Sequence, residues 1–135
     1  MTQQQTVYLN GDYMPLEDAK VSVLDRGFIY GDGVYEVVPV YGGKPFRWAY
    51  HLARLTRSLA KVQIANPKTD EQWTALVTDL IARHPWNDQF VYMQVTRGVA
   101  KREHLFPKNV TPTVFAMTSE FAPLPAELLS KGIAV

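Results

Sequence analysis

Val34-Tyr35-Glu36-Val37-Val38-Pro39-Val40-Tyr41, closed by Gly42-Gly43, is the stretch on which the fold turns. β-Branched and aromatic residues fill it, so it reads as a strand. Two consecutive glycines supply the positive φ angles of a hairpin turn. Strand alternation puts Val34, Glu36, Val38 and Val40 on one face, and Tyr35, Val37, Pro39 and Tyr41 on the other. Pro39 has no N–H for a ladder, which predicts an edge or a bulge there.

Upstream, Thr6 to Leu9 and Tyr13 to Leu16 read as two strands turned by Asn10-Gly11-Asp12. An extended piece, Lys20 to Leu24, is expected to lead into Asp25-Arg26-Gly27-Phe28-Ile29-Tyr30-Gly31-Asp32-Gly33, whose glycines permit close backbone packing. Downstream, Trp48, Leu52, Leu55, Leu59 and Val62 recur in steps of three and four, predicting a helix over 48–63. Trp73, Leu76, Val77, Leu80 and Ile81 predict a second. Thr69 with Gln72 forms a capping-box pattern at its start, and His84-Pro85 ends it. Gln89–Arg97 and Thr113–Thr118 are strong strands. The connection between them, 98–112, is longer than an ordinary loop, and such loops are usually functional or disordered. Two prolines in Ser119–Pro125 mark a linker, Leu124–Gly132 a helical turn, and Gly132–Val135 the interrupted start of another strand. The order of strands, two helices, strands is that of an α+β domain, with two helices on one face of a mostly antiparallel sheet. Residues 1–120 are expected to form that small domain and 121–135 a linker into a further one.

Composition narrows the function. Lys plus Arg number 14 and Asp plus Glu 13, so no basic excess points to nucleic acid and no charge block to a membrane surface. Cysteine is absent, which removes disulfides, thiolate zinc sites and a Cys nucleophile. His51, His84 and His104 lack metal-ligand spacing, and no metal site is expected. The polar start is not a signal peptide and no apolar run is long enough for a bilayer, so a cytoplasmic protein is expected.

Few side chains offer chemistry. Arg102 and His104 stand two apart in the long loop, and in extended backbone such residues point the same way. A guanidinium grips a carboxylate through two parallel hydrogen bonds and an imidazole adds a third donor, although a solvated charged loop has the same composition. Glu103 between them can pair with Lys101 or Arg102. Tyr35 reads by alternation as core packing with its hydroxyl at the rim, or as a phenol donating to a bound anion. Glu36 lies on an apolar face and needs a partner, for which Arg26 is the expected cation. Arg54, Arg57 and Lys61 form a basic helical stripe in which Arg54 borders the apolar face, where it can bend toward a phosphate. None of the seven lysines has an apolar setting that would tune it as a nucleophile.

Asp25-Arg26-Gly27 through Gly31-Asp32-Gly33-Val34-Tyr35-Glu36 resembles the front motif of class IV, fold-type IV pyridoxal-phosphate aminotransferases. His51-Leu52-Ala53-Arg54-Leu55 is similar to the helix that carries their phosphate-binding arginine. Arg97-Gly98 with Arg102, His104 and Phe106-Pro107 resembles the D-amino-acid aminotransferases within that family. The resemblance implies that this is the small N-terminal domain of such an enzyme. It implies that Tyr35, Arg102 and His104 trap the substrate carboxylate and that Arg54 holds the phosphate of pyridoxal 5'-phosphate. The implied reaction is transamination between D-amino acids and 2-oxo acids, in a homodimer whose Arg and His reach the partner's active site. No catalytic residue is expected in the chain: the Schiff-base lysine belongs downstream of Val135, and the 135-residue chain alone is expected to be inactive. Branched-chain L-amino-acid aminotransferases and aminodeoxychorismate lyase share the front motif and the helix arginine, and remain alternatives. So does a non-catalytic anion-binding module complete at residue 135.

Overall fold

A computed structural model describes residues 5–132. The chain forms β1 (Thr6–Leu9), β2 (Asp12–Pro15), a 3-10 turn (Leu16–Asp18), α1 (Arg26–Tyr30), β3 (Gly33–Tyr41) and β4 (Lys44–Pro45). There follow α2 (Trp48–Lys61), α3 (Asp70–Ala82), β5 (Gln89–Thr96), β6 (Thr113–Glu120) and α4 (Ala126–Lys131). Among the described residues all six strands join one sheet in the order β2-β1-β6-β5-β3-β4, and every pairing is antiparallel. The α+β expectation holds, with a sheet that is entirely antiparallel.

Register explains the two faces. Val34 pairs with Val95 and Val38 with Val91, while Met93 and Val95 pair with Ala116 and Val114. Period-two alternation therefore gathers these residues on one side. Leu52, Leu55 and Leu59 of α2 and Trp73, Leu76, Val77 and Leu80 of α3 are buried against that side and form a single core with it. Removing this apolar area from water holds the helices to the sheet. Both helices occur where periodicity places them. The α3 capping box is complete: Gln72 N–H donates to Thr69 Oγ1 at 3.3 Å and Thr69 N–H donates to Gln72 Oε1 at 2.9 Å.

The opposite face pairs Tyr35 with Gln94 and Gln94 with Phe115, then Val37 with Tyr92 and Pro39 with Phe90. Tyr35 and Tyr41 are exposed there. Core packing for Tyr35 is thus corrected: both helices cover the Val34–Glu36–Val38–Val40 side, and the tyrosines look away from them. Pro39 lies next to the two residues of β3 that pair with the short edge strand β4, its carbonyl accepting from Phe46 N–H at 2.7 Å, and the unbroken β3–β5 register leaves no bulge.

Two further differences concern the glycine-rich stretch. Lys20–Leu24 joins no strand of the sheet, and only Asp25 makes an isolated bridge, to Val99. The five residues after it coil into α1 instead. Asp25 caps that helix by accepting from Gly27 N–H at 2.8 Å, and Gly31 ends it in the left-handed region. A helix this short has no amphipathic period to reveal it. α4 falls within the expected 124–132 turn. The interrupted strand expected over 132–135 lies, past Gly132, outside the described residues. No helix among the described residues is long and apolar enough to cross a membrane.

Candidate active site

The loop 98–112 is anchored at both ends. Gly98 has φ +105, and a Cβ there would meet the Thr111 carbonyl oxygen at 1.9 Å, so its outgoing and returning strands touch through a glycine. Gly98 accepts from Arg26 N–H at 2.9 Å, and Thr113 donates its hydroxyl to Asp25 at 2.6 Å. The glycine-rich stretch and the long loop are therefore one assembly.

At its centre lies Asp32. Arg97 donates to it from Nε and Nη2 at 2.7 and 3.0 Å, and Arg26 donates from Nε at 2.8 Å. All three side chains are largely buried. Burial pushes the Asp32 carboxyl up, but hydrogen bonds from Arg97 and Arg26 outweigh it and hold the group below the usual carboxylate range. Arg97 also donates to the carbonyls of Gln63 and Val62 at 2.9 and 2.7 Å and stacks on Phe106, 3.8 Å from its ring centre. Arg26 reaches the loop itself, donating from Nη1 to the Glu103 carbonyl at 2.8 Å.

Arg102 and His104 flank that anchored residue and converge. The Arg102 guanidinium lies 5.5 Å from the Tyr30 ring centre, and the His104 ring lies 6.2 Å from the same centre. Both are exposed. Glu103 turns its carboxylate to Lys101 at 3.3 Å, which leaves the Arg102 guanidinium free of it. Both side chains thus reach one aromatic ring, on a segment that bends and is not extended.

Tyr35 is elsewhere. It stacks on Tyr92 at 5.8 Å on the open sheet face, and among the described residues no hydrogen bond or ring contact joins it to Arg102 or His104. Burial, with Tyr35 alongside, pushes the Tyr92 phenol up. A cleft of about 340 Å³ opens on this face, floored by Leu9, Gln94 and Phe115 and walled by Val21 and Phe28.

Glu36 corrects another expectation. Its partner is Arg54, not Arg26, because Glu36 points under α2 while Arg26 is committed to Asp32. Arg54 donates from Nε and Nη2 at 2.6 Å each, and His51 adds an Nδ1 contact at 2.9 Å. Glu36 is 2 % exposed, whereas the Arg54 side chain is 59 % exposed. Burial favours the neutral acid, but hydrogen bonds from Arg54 and His51 prevail and keep Glu36 below the usual carboxylate range. Arg54 keeps Nη1 unclaimed among the described residues. It lines a second cleft of about 340 Å³ with Arg47, Tyr50, His51 and Arg57. This donor-rich, cationic hollow suits a phosphate. Among the described residues no group of three His, Asp or Glu side chains is placed to hold a metal. His84 is structural: it is buried, stacks on Trp86 and accepts from Thr6 N–H at 3.3 Å.

Tyr30 and Asp32 escaped the sequence reading. Asp32 carried a signal, being an acid between two glycines with Arg97 and Arg26 on flanking elements. Tyr30 carried none, since only the fold brings the loop over it.

Comparison with known proteins identifies the family and the fold. The family model described as Amino-transferase class IV matches residues 33–134. D-alanine aminotransferase of Staphylococcus haemolyticus is 36% identical over 128 residues, covering 94% of this chain and 45% of that protein. D-alanine aminotransferase of Listeria monocytogenes serotype 4b (strain F2365) is 44% identical over 104 residues, covering 76% and 36%. The chain thus spans about half the length, or less, of the curated relatives it matches. Among solved structures, the branched-chain amino acid aminotransferase of Escherichia coli superposes with a TM-score of 0.83 at 22% identity over 93% of this chain and 43% of that one. The 4-amino-4-deoxychorismate lyase of Pseudomonas aeruginosa does so at 0.75 and 26%, over 94% and 44%. With the family match covering most of the chain and curated relatives above 30% identity along nearly all of it, the chain belongs to the class IV aminotransferases.

Proposed function

We propose that the protein containing this chain transfers an amino group between D-amino acids and 2-oxo acids with pyridoxal 5'-phosphate. One observation carries the reading: an exposed loop presents Arg102 and His104 together, with the intervening acid turned away to Lys101. The names of the curated relatives, D-alanine aminotransferases, support the D-specific form. The fold does not discriminate, because a branched-chain enzyme and a lyase both superpose on it, with TM-scores of 0.83 and 0.75. The Arg-x-His pair favours the D-specific reading over those two.

In this reading Arg102 and His104 bind the α-carboxylate and fix which side of the substrate faces the reacting centre. Tyr35 donates its phenol proton to the same group. Tyr35 lies apart from the other two within one protomer, which supports a homodimer in which the loop of one subunit completes the site of the other. Arg54, steadied along one edge by Glu36, offers its remaining N–H groups to the cofactor phosphate. Bound there, pyridoxal phosphate serves as electron sink and amino carrier. Residues 1–120 form the small domain, and 121–135 lead on to the portion that carries the lysine.

Replacing Arg102 by Ala in the full-length enzyme tests this. Loss of a paired carboxylate contact costs about 2–4 kcal/mol, or roughly 30- to 1,000-fold in kcat/KM for D-alanine. Unchanged kinetics removes Arg102 from the site.

A further inference from the structure

We propose that Tyr30 is a positioning residue for substrate binding, its ring the platform that holds Arg102 and His104 in a shared orientation. The inference rests on the carboxylate-binding reading of that pair. Three groups meet the ring: the Arg26 guanidinium at 4.6 Å, the Arg102 guanidinium at 5.5 Å and the His104 imidazole at 6.2 Å, inclined at 51°. Each separation lies in the range where a π face attracts a cation or a tilted ring. Arg26 is already compensated by Asp32, so it does not repel Arg102 as a bare charge would. Its Nη1 holds the Glu103 carbonyl, which fixes the backbone between the two presented side chains.

The arrangement answers a physical need. Arg102 and His104 are exposed and, on an unsupported loop, would sample many rotamers. Ordering them at the moment of binding would weaken the grip on a carboxylate. A ring already in contact with both restricts them beforehand. The position of Tyr30 is itself fixed, at the last residue of a helix capped by Asp25 and ended by Gly31.

The phenol oxygen supplies a discriminating feature. It is buried and has no hydrogen-bond partner among the described residues. The platform therefore uses the ring and makes no use of the hydroxyl. Removing the hydroxyl relieves an unsatisfied polar atom and keeps the π face.

The test uses the full-length holoenzyme with D-alanine and 2-oxoglutarate, and butyrate as an unreactive carboxylate. Tyr30→Leu is expected to raise KM for both substrates and the butyrate inhibition constant by about five- to thirty-fold. Its kcat should fall less than threefold, because the reacting centre is untouched. Tyr30→Phe should stay within about twofold of the parent in all three constants. If Tyr30→Leu does not fold, Tyr30→Met, unbranched and adaptable but without a π face, carries the same expectation. Equal loss in Tyr30→Phe and Tyr30→Leu would overturn the platform in favour of a working hydroxyl. Unchanged constants in Tyr30→Leu, beside an impaired Arg102→Ala, would overturn it and leave the carboxylate reading standing. An unimpaired Arg102→Ala would bring down both.

Discussion

Two carboxylates, the buried Glu36 and the half-buried Asp32, tie arginines of this chain in place, and each is defined by what surrounds it. Asp32 binds two arginines that are themselves 5 % and 6 % exposed. Exchange of Asp32 for Asn would leave both cations buried without their counter-charge, a change that costs about 3–5 kcal/mol. A urea unfolding midpoint for Asp32→Asn close to that of the parent would contradict this. The pH dependence has a definite sign. Asp32 and Glu36 both titrate lower when folded than when unfolded. Their contribution is therefore complete above the unfolded carboxylate value of about 4, and is lost as pH falls through the depressed folded values. Unfolding midpoints should stay level from neutral pH to about 4 and then drop, with a shallower drop in Asp32→Asn.

Among the elements, the 98–112 loop carries the proposed carboxylate-binding pair with the least regular structure. Its shape is fixed by contacts at its base, above all by Gly98 against the Thr111 carbonyl. An alanine at 98 must move that carbonyl and also adopt a left-handed backbone. Gly98→Ala is expected to lose roughly 1–3 kcal/mol from backbone strain, and to expose the loop to limited proteolysis. A cleavage rate equal to the parent's would show that the base does not set the loop. α2 has a different part in the proposed site. Its apolar stripe docks it on β3, and that docking carries Arg54 to Glu36, which tethers the exposed guanidinium along one edge while leaving Nη1 available.

At the scale of the molecule, the sheet divides labour between its faces. One is sealed by α2 and α3, and the other shows Tyr35, Tyr41, Tyr92 and a cleft. In the proposed dimer, Arg54 of one subunit and Arg102 of the other serve the same active site. Arg54→Ala and Arg102→Ala are each expected to be weak alone. Mixed and reassembled, half the dimers would be hybrids with one intact site of two, so about a quarter of parental activity should return. No recovery above the single variants would place both arginines in one protomer's site.

The sequence by itself determined five of the six described strands, both long helices and the two hairpin turns. These depend on periodicity, turn residues and spacing, which are local properties of a chain. Only the tertiary structure decided which cation meets which acid. Glu36 chose Arg54 over Arg26 because β3 faces α2 there, and Arg26 was free to join Arg97 on Asp32 because α1 folds back against β5. The ring of Tyr30 beneath the loop likewise depends on a meeting of segments some seventy residues apart. Charge and aromatic contacts of that kind are long-range in the sequence, and no local pattern encodes them.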